Sequence, residues 1–226
     1  MNLNIEPTAD RSATLYRPDI DEHYHSVKGA LAESNYVYIE LGWRHADNNL
    51  KPIRVFEVGF GTSLNAALTA YKARKGETET EYFAIELYPL SSDVTDALLP
   101  MQEPEYKEDF IAVNKAEWDT PDKINPYFSL HKIKGDLLTM ELPQNLNVVY
   151  FDAFAPEKQP EMWEEAVFSK IFNAMSEGGV LTTYCAKGAI RRLLQNIGFT
   201  VERLPGPPGG KREVLRATKV TSTKIS

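Results

Sequence analysis

The sequence Arg54-Val55-Phe56-Glu57-Val58-Gly59-Phe60-Gly61-Thr62-Ser63 places an apolar run directly before two closely spaced glycines. Residues 54–58 are typical of a buried β-strand, and residues 64–72 have the composition of a tightly packed helix. Glycines at such a strand-to-helix turn let the backbone bend sharply and approach a ligand beside the helix N-terminus. We therefore predict a ligand-binding turn within an α/β fold.

Strand-like and helix-like segments alternate along the rest of the chain. This alternation predicts a doubly wound, mostly parallel sheet covered by helices on both faces. The last two strand-like segments predict an antiparallel hairpin at the C-terminal edge of that sheet. The predicted strands after the first are residues 82–86, 128–134, 148–151, 180–184, 200–204 and 213–217, and a helix is predicted at 190–196.

We divide the chain into three parts. Residues 1–50 are predicted to form an N-terminal β-hairpin extension that packs on the core, with residues 36–40 as one of its strands. Residues 51–218 form the main domain, and residues 219–226 form a flexible polar tail. The main domain carries an insertion at 89–127 with helices near 93–99 and 107–118, separated by prolines.

The composition excludes several classes of protein. A net charge of -7 over 226 residues argues against a generic nucleic-acid binder, although a local basic patch remains compatible with RNA. The single cysteine, Cys185, allows no internal disulfide and fits a reducing cytoplasm. We see neither a signal peptide nor an apolar run of the roughly 18 residues that a membrane span needs. We therefore expect a cytoplasmic protein with no membrane partner.

The glycine-rich turn predicts which cofactor is bound. A dinucleotide fingerprint needs a third glycine, and Leu64 stands there instead. An acidic residue two positions before the first glycine, here Glu57, is the pattern of enzymes that use S-adenosylmethionine (SAM). Its carboxylate can attract the methionine amino group. We assign Gly59 and Gly61 to the same site, together with the neighbouring Thr62 and Asn65.

Two further carboxylates follow at the ends of predicted strands. Glu86 can accept hydrogen bonds from both ribose hydroxyls, and Asp136 can accept one from the adenine amine. Each has a simpler interpretation, since Glu86 alone fits a solvated charge and Asp136 alone fits a turn or helix cap. Because ligands bind at the carboxyl ends of strands in open α/β sheets, the whole set predicts a class I SAM-dependent, Rossmann-like fold.

The acceptor side is predicted after the fourth strand, in Asp152-Ala153-Phe154-Ala155-Pro156. We assign Asp152 and Phe154 as catalytic, because a carboxylate beside an aromatic ring suits an amine nucleophile on a planar base. Asp152 is expected to face the transferred methyl group and so to contact the cofactor as well. The alternative is that Asp152 caps a helix while Phe154 and Trp163 are core residues. Tyr24, Tyr36 and Tyr184 are further candidates for the pocket.

Several motifs resemble the methyltransferase domain of the MnmC family. They are Gly59-Phe60-Gly61-Thr62, the run from Phe151 to Trp163, Gly188-Ala189-Ile190-Arg191-Arg192, Gly198-Phe199 and Gly209-Gly210-Lys211-Arg212-Glu213. Residues 21–24 and 33–38 are also similar, so the resemblance extends from about Asp19 to Arg216. It implies methyl transfer from SAM to the aminomethyl group of 5-aminomethyl-(2-thio)uridine at the wobble position of tRNA. The anticodon loop is then the partner, and neither a metal nor FAD is expected.

The sequence departs from this family in three ways. Ser63 replaces a glycine of the glycine-rich loop, and His25 stands where the family usually has Phe. The flavin-dependent oxidase domain of the bifunctional enzymes is absent from this chain. We therefore expect either an aminomethyl acceptor made by another route or a separate FAD-dependent oxidase as partner.

Six basic residues are candidates for contact with tRNA. If they converge on one rim they form a phosphate-binding patch on an acidic body, and otherwise they are ordinary solvated charges. They are Lys158, Lys187, Arg191, Arg192, Lys211 and Arg212.

Two rival functions stay open. One is an aminopropyltransferase of the spermidine synthase type, which has the same fold and needs acidic residues for a polyamine. The other is a non-catalytic SAM-fold module that binds RNA.

Overall fold

The computed structural model describes residues 3–46 and 51–220. Its strands are β1 (Asn4–Pro7), β2 (Ala13–Arg17), β3 (Glu22–His23), β4 (Ile53–Val58), β5 (Thr80–Glu86), β6 (Pro121–Asn125), β7 (Phe128–Lys134), β8 (Leu146–Phe151), β9 (Met175–Thr183), β10 (Phe199–Pro205) and β11 (Glu213–Lys219). Its α-helices are α1 (Ala30–Glu33), α2 (Leu64–Gly76), α3 (Ser92–Leu98), α4 (Lys107–Lys115), α5 (Glu165–Ala174) and α6 (Gly188–Ile197). A π-helix spans Ser34–Glu40, and short 3₁₀ helices span Trp43–His45, Leu99–Met101 and Pro160–Trp163.

Within the described ranges, eight strands form one sheet in the order β10-β11-β9-β8-β4-β5-β7-β6. Strand β4 pairs in parallel with both β5 and β8, so the chain reverses its direction of winding there. At the C-terminal edge β10 and β11 pair antiparallel, with Val201 opposite Ala217. The predicted doubly wound sheet and its edge hairpin are therefore confirmed. A ligand crevice is expected beyond the carboxyl ends of β4 and β8.

The N-terminal extension contains a β-hairpin, as predicted, formed by β1 and β2, but the strand predicted at residues 36–40 is wrong. Residues 36–40, predicted as a strand, lie in the π-helix, and strands β1, β2 and β3 form a separate antiparallel sheet instead. Val37, Tyr38 and Ile39 are all buried, with at most 1% of their surface exposed. Only a strand covered on both faces could bury three successive side chains, and residues 36–40 pair with neither sheet, so tertiary packing overrides their β-propensity.

Smaller differences lie in the insertion and at the two ends of the main domain. The predicted helical insertion also contains β6, an edge strand that begins at Pro121, where proline needs no inward-facing N–H. Residues 47–50 and 221–226 lie outside the described residues, and so does most of the predicted tail. Strand β11 extends to Lys219.

The core explains why the strand ends are held rigidly. All six residues of β8 are buried, and apolar clusters cover both faces of the sheet. Helix α2 packs closely on one face through Ala66, Ala67 and Ala70, each fully buried. Among the described residues, no helix combines the length and the apolar content that crossing a membrane requires.

Candidate active site

A cavity lies at the carboxyl ends of β4, β5, β7 and β8, and we call it the first cavity. It contains five of the predicted cofactor residues, together with the predicted catalytic residue Phe154 and the predicted tRNA contact Lys158. It is lined by Arg17, Ile20, Tyr24, His25, Val58, Gly59, Phe60, Gly61, Ile85, Glu86, Leu87, Tyr88, Gly135, Asp136, Leu137, Asp152, Ala153, Phe154, Lys158, Gln159, Glu161 and Met162.

The two glycines of the turn are required by geometry. Gly59 has φ +84°, and a Cβ there would lie 2.7 Å from the backbone oxygen of Asp152. Gly61 has φ +49°, and its Cβ would lie 3.0 Å from the ring of Tyr24. Ser63 also has a positive φ, of 69°, and its hydroxyl accepts a 2.7 Å hydrogen bond from Nδ2 of Asn114. That bond offsets part of the cost of serine in a left-handed conformation.

The carboxylate of Glu86 is held in place by two backbone amides. The N–H of Gly61 donates to Oε2 at 3.1 Å, and the N–H of Tyr88 donates to Oε1 at 3.0 Å. Each carboxylate oxygen has further lone pairs. Glu86 can therefore accept hydrogen bonds from a ligand without losing its own position.

Asp136 makes a turn contact and also lines the first cavity. Its Oδ1 accepts a 2.9 Å hydrogen bond from the N–H of Leu138, as a turn residue does. It also lines the first cavity between Gly135 and Leu137, and the half-exposed Leu87 lies on the same wall. This end of the cavity offers apolar contact and one acceptor, which suits a flat amino-substituted ring.

Three predicted cofactor residues lie behind the cavity wall and not on it. Glu57, Thr62 and Asn65 are buried, with 0%, 4% and 2% of their surface exposed. Nδ2 of Asn65 donates to Oε1 of Glu57 at 2.9 Å and to Oδ2 of Asp152 at 2.9 Å. Burial raises the pKa of Glu57 well above its usual value. None of the three lines the first cavity, since Glu57 lies on β4, Thr62 in the turn and Asn65 on α2, and their contact with the cofactor stays a prediction.

Asp152 lies where the first cavity meets a second one. Its Oδ1 accepts a 2.6 Å hydrogen bond from the hydroxyl of Tyr38, and its Oδ2 accepts the bond from Asn65. Burial raises the pKa of Asp152 to about 7, against the lowering effect of the Tyr38 hydrogen bond. A carboxyl group with this pKa can accept or release a proton near neutral pH.

The second cavity shares four residues with the first, namely Tyr24, His25, Asp152 and Phe154. Its other lining residues are Glu22, His23, Ser26, Val27, Lys28, Glu33, Ala155, Pro156, Tyr184, Cys185, Ala186, Lys187, Lys211, Arg212 and Glu213. Two ligands bound in the two cavities would therefore meet at the carboxylate of Asp152.

Aromatic rings form part of the shared wall. Phe154 packs edge-on against Tyr24 with ring centroids 5.1 Å apart, and the hydroxyl of Tyr184 donates to the backbone oxygen of Ala153 at 2.8 Å. Trp163 is a core residue, since it packs on Phe151 and is 5% exposed. The core alternative thus holds for Trp163 but not for Phe154.

Tyr24 and Tyr184 line the second cavity, as predicted for pocket residues. Tyr36 lines neither of the two cavities.

His25 connects the N-terminal extension to the glycine-rich turn. Its Nε2 lies 2.6 Å from Oγ1 of Thr62, at hydrogen-bond distance. Burial lowers the pKa of His25 to about 4, so the ring is neutral at pH 7. His25 thus makes a polar contact that the phenylalanine expected from the resemblance could not make.

Of the six predicted tRNA-binding residues, three form ion pairs with carboxylates and three form none within the described part of the chain. Lys158 pairs with Asp21 at 3.6 Å, Lys187 pairs with Glu157, and Lys211 pairs with the buried Glu33 at 3.1 Å. Lys187, Lys211 and Arg212 line the second cavity, whereas Arg191 and Arg192 lie on α6. Arg192 and Arg212 are exposed, and no ion pair within the described ranges involves Arg191, Arg192 or Arg212.

Sequence reasoning missed three residues of the site. The sequence predicts Tyr38 in a strand, yet its hydroxyl donates a hydrogen bond to Asp152. It predicts no role for Arg17 or Glu33, yet Arg17 lines the first cavity and Glu33 lines the second. The N-terminal extension carries all three, and its folding over the strand ends is set by long-range packing. The family resemblance over residues 33–38 includes Glu33 and Tyr38 but implies no role for either of them.

Comparison with known proteins places these cavities in context. Residues 96–220 match the model of a family described as S-adenosyl-L-methionine-dependent methyltransferase. The chain is 30% identical over 229 residues to the tRNA 5-methylaminomethyl-2-thiouridine biosynthesis bifunctional protein MnmC of Leptospira borgpetersenii serovar Hardjo-bovis (strain JB197). That alignment covers 94% of this chain and 33% of the relative, so the chain spans about one third of the length of such relatives.

Solved structures agree on the fold. MnmC2 from Aquifex aeolicus superposes with a TM-score of 0.82 and 26% identity, over 100% of this chain and 73% of that chain. Spermidine synthase from Thermotoga maritima superposes with a TM-score of 0.61 and 12% identity, over 96% of this chain and 69% of that chain. The second likeness concerns the fold alone.

Proposed function

The chain belongs to the S-adenosyl-L-methionine-dependent methyltransferase family, and on that premise we propose that it methylates the aminomethyl group of 5-aminomethyl-(2-thio)uridine at the wobble position of tRNA. The observation that supports this proposal most directly is that the two cavities meet at Asp152 and Phe154. The names of the MnmC relatives support the choice of acceptor.

The first cavity fits SAM by its own chemistry. Gly59 lets the turn pack closely on the backbone of Asp152 at the cavity wall, Glu86 presents a fixed carboxylate for ribose hydroxyls, and Asp136 presents an acceptor for an adenine amine. When bound, SAM supplies a methyl group on a positively charged sulfur. Glu57 and Asn65 then act from behind the wall, where they hold Asp152 in position.

Asp152 performs the proton chemistry in this proposal. An alkylammonium has no free lone pair, so the acceptor nitrogen must lose a proton before it can attack. Asp152, as a carboxylate, holds the incoming ammonium and accepts that proton. Tyr38 and Asn65 fix the direction of the two carboxylate oxygens. Phe154 and Tyr184 bound a space for a planar base that is turned out of the anticodon loop.

The predicted tRNA-binding cations are proposed to hold tRNA phosphates. Arg191, Arg192 and Arg212 carry this role most directly, because their charges have no carboxylate partner in the described part of the chain. Lys158 and Lys187 can also bind phosphates, because each pairs with an exposed carboxylate that a phosphate can replace. We place the reaction in the cytoplasm, without a metal or FAD, with the aminomethyl group made by a separate FAD-dependent oxidase or by another route.

The test is methylation of a defined tRNA. Purified protein, SAM and tRNA carrying 5-aminomethyl-2-thiouridine are incubated, and nucleosides are analysed by mass spectrometry. We expect one methyl group to appear on that nucleoside and none on tRNA with unmodified uridine. Calorimetric SAM binding without any methyl gain would reject this acceptor.

An aminopropyltransferase remains the second candidate, because Glu22, Glu33 and Glu213 line the second cavity and a polyamine binds acids. Two of them already have cationic partners, since Lys211 pairs with Glu33 and Arg203 pairs with Glu213. Incubation with decarboxylated SAM and putrescine is the discriminating assay, and we expect no product.

A further inference from the structure

The second cavity contains a carboxylate that the proposed methyl transfer does not use. Glu33 ends α1, and 8% of its side chain is exposed. The N–H of Ser26 donates to its Oε2 at 3.3 Å, whereas within the described residues its Oε1 is partnered only by the ammonium of Lys211. A carboxylate oxygen has more than one lone pair, so Oε1 can accept a hydrogen bond from a ligand while it pairs with a cation.

A cation stands beside this oxygen. The Nζ atom of Lys211 lies 3.1 Å from Oε1 of Glu33 and 3.5 Å from the ring centroid of Tyr184. Lys211 comes from the turn between β10 and β11, so the pair joins two distant parts of the chain. Both side chains line the second cavity. The cavity therefore offers one hydrogen-bond acceptor and one donor side by side.

We propose that Glu33 and Lys211 read the polar edge of the base in the second cavity and select uracil over cytosine. Oε1 of Glu33 accepts the N3–H of the ring, and Nζ of Lys211 donates to the neighbouring carbonyl or thiocarbonyl. This inference rests on the proposed function, since it concerns the base that carries the acceptor amine.

The chemistry of the two pyrimidines explains the selection. Uracil has a proton on N3, whereas cytosine has a lone pair there that would face the carboxylate of Glu33. A flipped base is read through hydrogen bonds to this edge while aromatic side chains stack on its faces. Loss of a hydrogen bond to a charged group corresponds to a discrimination of about 10- to 100-fold.

The test substitutes Glu33→Gln and compares two anticodon stem-loop RNAs, one with 5-aminomethyluridine and one with 5-aminomethylcytidine. A glutamine amide can turn its oxygen towards the N3–H of uracil or its NH₂ group towards the N3 of cytosine. We expect wild-type kcat/KM to favour the uridine RNA by about 10- to 100-fold, and the ratio for the variant to fall to within about threefold of one. SAM affinity should stay unchanged.

The matched control is Glu40→Gln, which changes an exposed carboxylate that pairs with Arg44. It should keep the wild-type preference. Lys211→Met leaves Glu33 in place, and we expect it to raise the KM of the uridine RNA about 10-fold while uridine is still preferred.

The outcomes separate the two proposals. Transfer to both RNAs at equal rates by the wild type, or an undiminished uridine preference in Glu33→Gln, would overturn the reading of the base edge. Lack of transfer to either RNA would overturn the proposed function and this inference with it.

Discussion

The hydroxyl of Tyr38 donates a 2.6 Å hydrogen bond to Oδ1 of Asp152. It joins the N-terminal extension to the carboxyl end of β8, where the two cavities meet. The donor favours the ionised form of Asp152, whereas burial favours the neutral form and raises its pKa to about 7. The balance between these effects sets the fraction of Asp152 that can act as a base near neutral pH.

Tyr38→Phe should move the pH dependence of methylation to higher pH. Without the hydroxyl the ionised form of Asp152 loses a donor, so its pKa rises above about 7 and less carboxylate is present at neutral pH. A shift of about one pH unit or more corresponds to one hydrogen bond to a charged group. The measurement is the pH profile of single-turnover methylation. Tyr36→Phe, which lies in the same π-helix and lines neither cavity, is the control and should keep the wild-type profile.

Glu86→Ala should weaken SAM binding. The variant loses an acceptor for the ribose hydroxyls, and each hydrogen bond to a charged group contributes about 1.5–3 kcal/mol. Glu81→Ala on the same strand is the control, because Glu81 pairs with Arg54 and does not line the first cavity. Calorimetry should give weaker SAM binding for the first variant only. Equal affinity of folded Glu86→Ala and wild type would remove Glu86 from the cofactor site.

His25→Phe should make the protein less sensitive to acid. The pKa of His25 is about 4 in the folded state and near its ordinary value of about 6.5 in the unfolded chain. The unfolded chain therefore binds more protons between these values, and wild-type stability falls as the pH drops from about 6.5 to about 4. Urea unfolding at several pH values should show the variant gaining stability relative to wild type over this window. A pH-independent difference would refute a neutral buried His25.

Substitution of Arg191 and Arg212 by alanine should weaken tRNA binding and flatten its salt dependence. Each lost phosphate contact reduces the slope of log affinity against log salt by roughly 0.7–0.9. Lys123→Ala is the control, since Lys123 is exposed on β6 at the opposite edge of the sheet from β10. SAM affinity should stay at the wild-type value in every variant. An unchanged slope in the double variant would place the phosphate contacts elsewhere.

The sequence predicted those parts of the fold and site that depend on local pattern. The apolar run before Gly59 and the acidic residues Glu86, Asp136 and Asp152 at later strand ends follow from rules that act over a few residues. The parallel order of their strands then brings these three carboxylates to one cavity. The recognised motifs after β8 identified Phe154 in the same way.

The parts of the fold and site that the sequence did not predict depend on long-range packing. The β-propensity of residues 36–40 gave no sign that Tyr38 would lie in a π-helix and reach Asp152. The sequence predicts Asn65 as a cofactor residue from its place near the turn, and it gives no sign that the Asn65 amide donates to two buried carboxylates. The pairing of Lys211 with Glu33 joins segments far apart in the chain, and a pattern of charges along the sequence cannot indicate it.

The most direct test of the account is single-turnover methylation by Asp152→Asn across a range of pH, on tRNA carrying 5-aminomethyl-2-thiouridine. Asparagine keeps the size of the side chain but cannot accept the proton. We expect the rate at neutral pH to fall by about 10²- to 10⁴-fold, with SAM and tRNA binding reduced far less, and to recover partly at high pH as solvent deprotonates the amine. Wild-type turnover by the variant at neutral pH would contradict the role of Asp152 as the base.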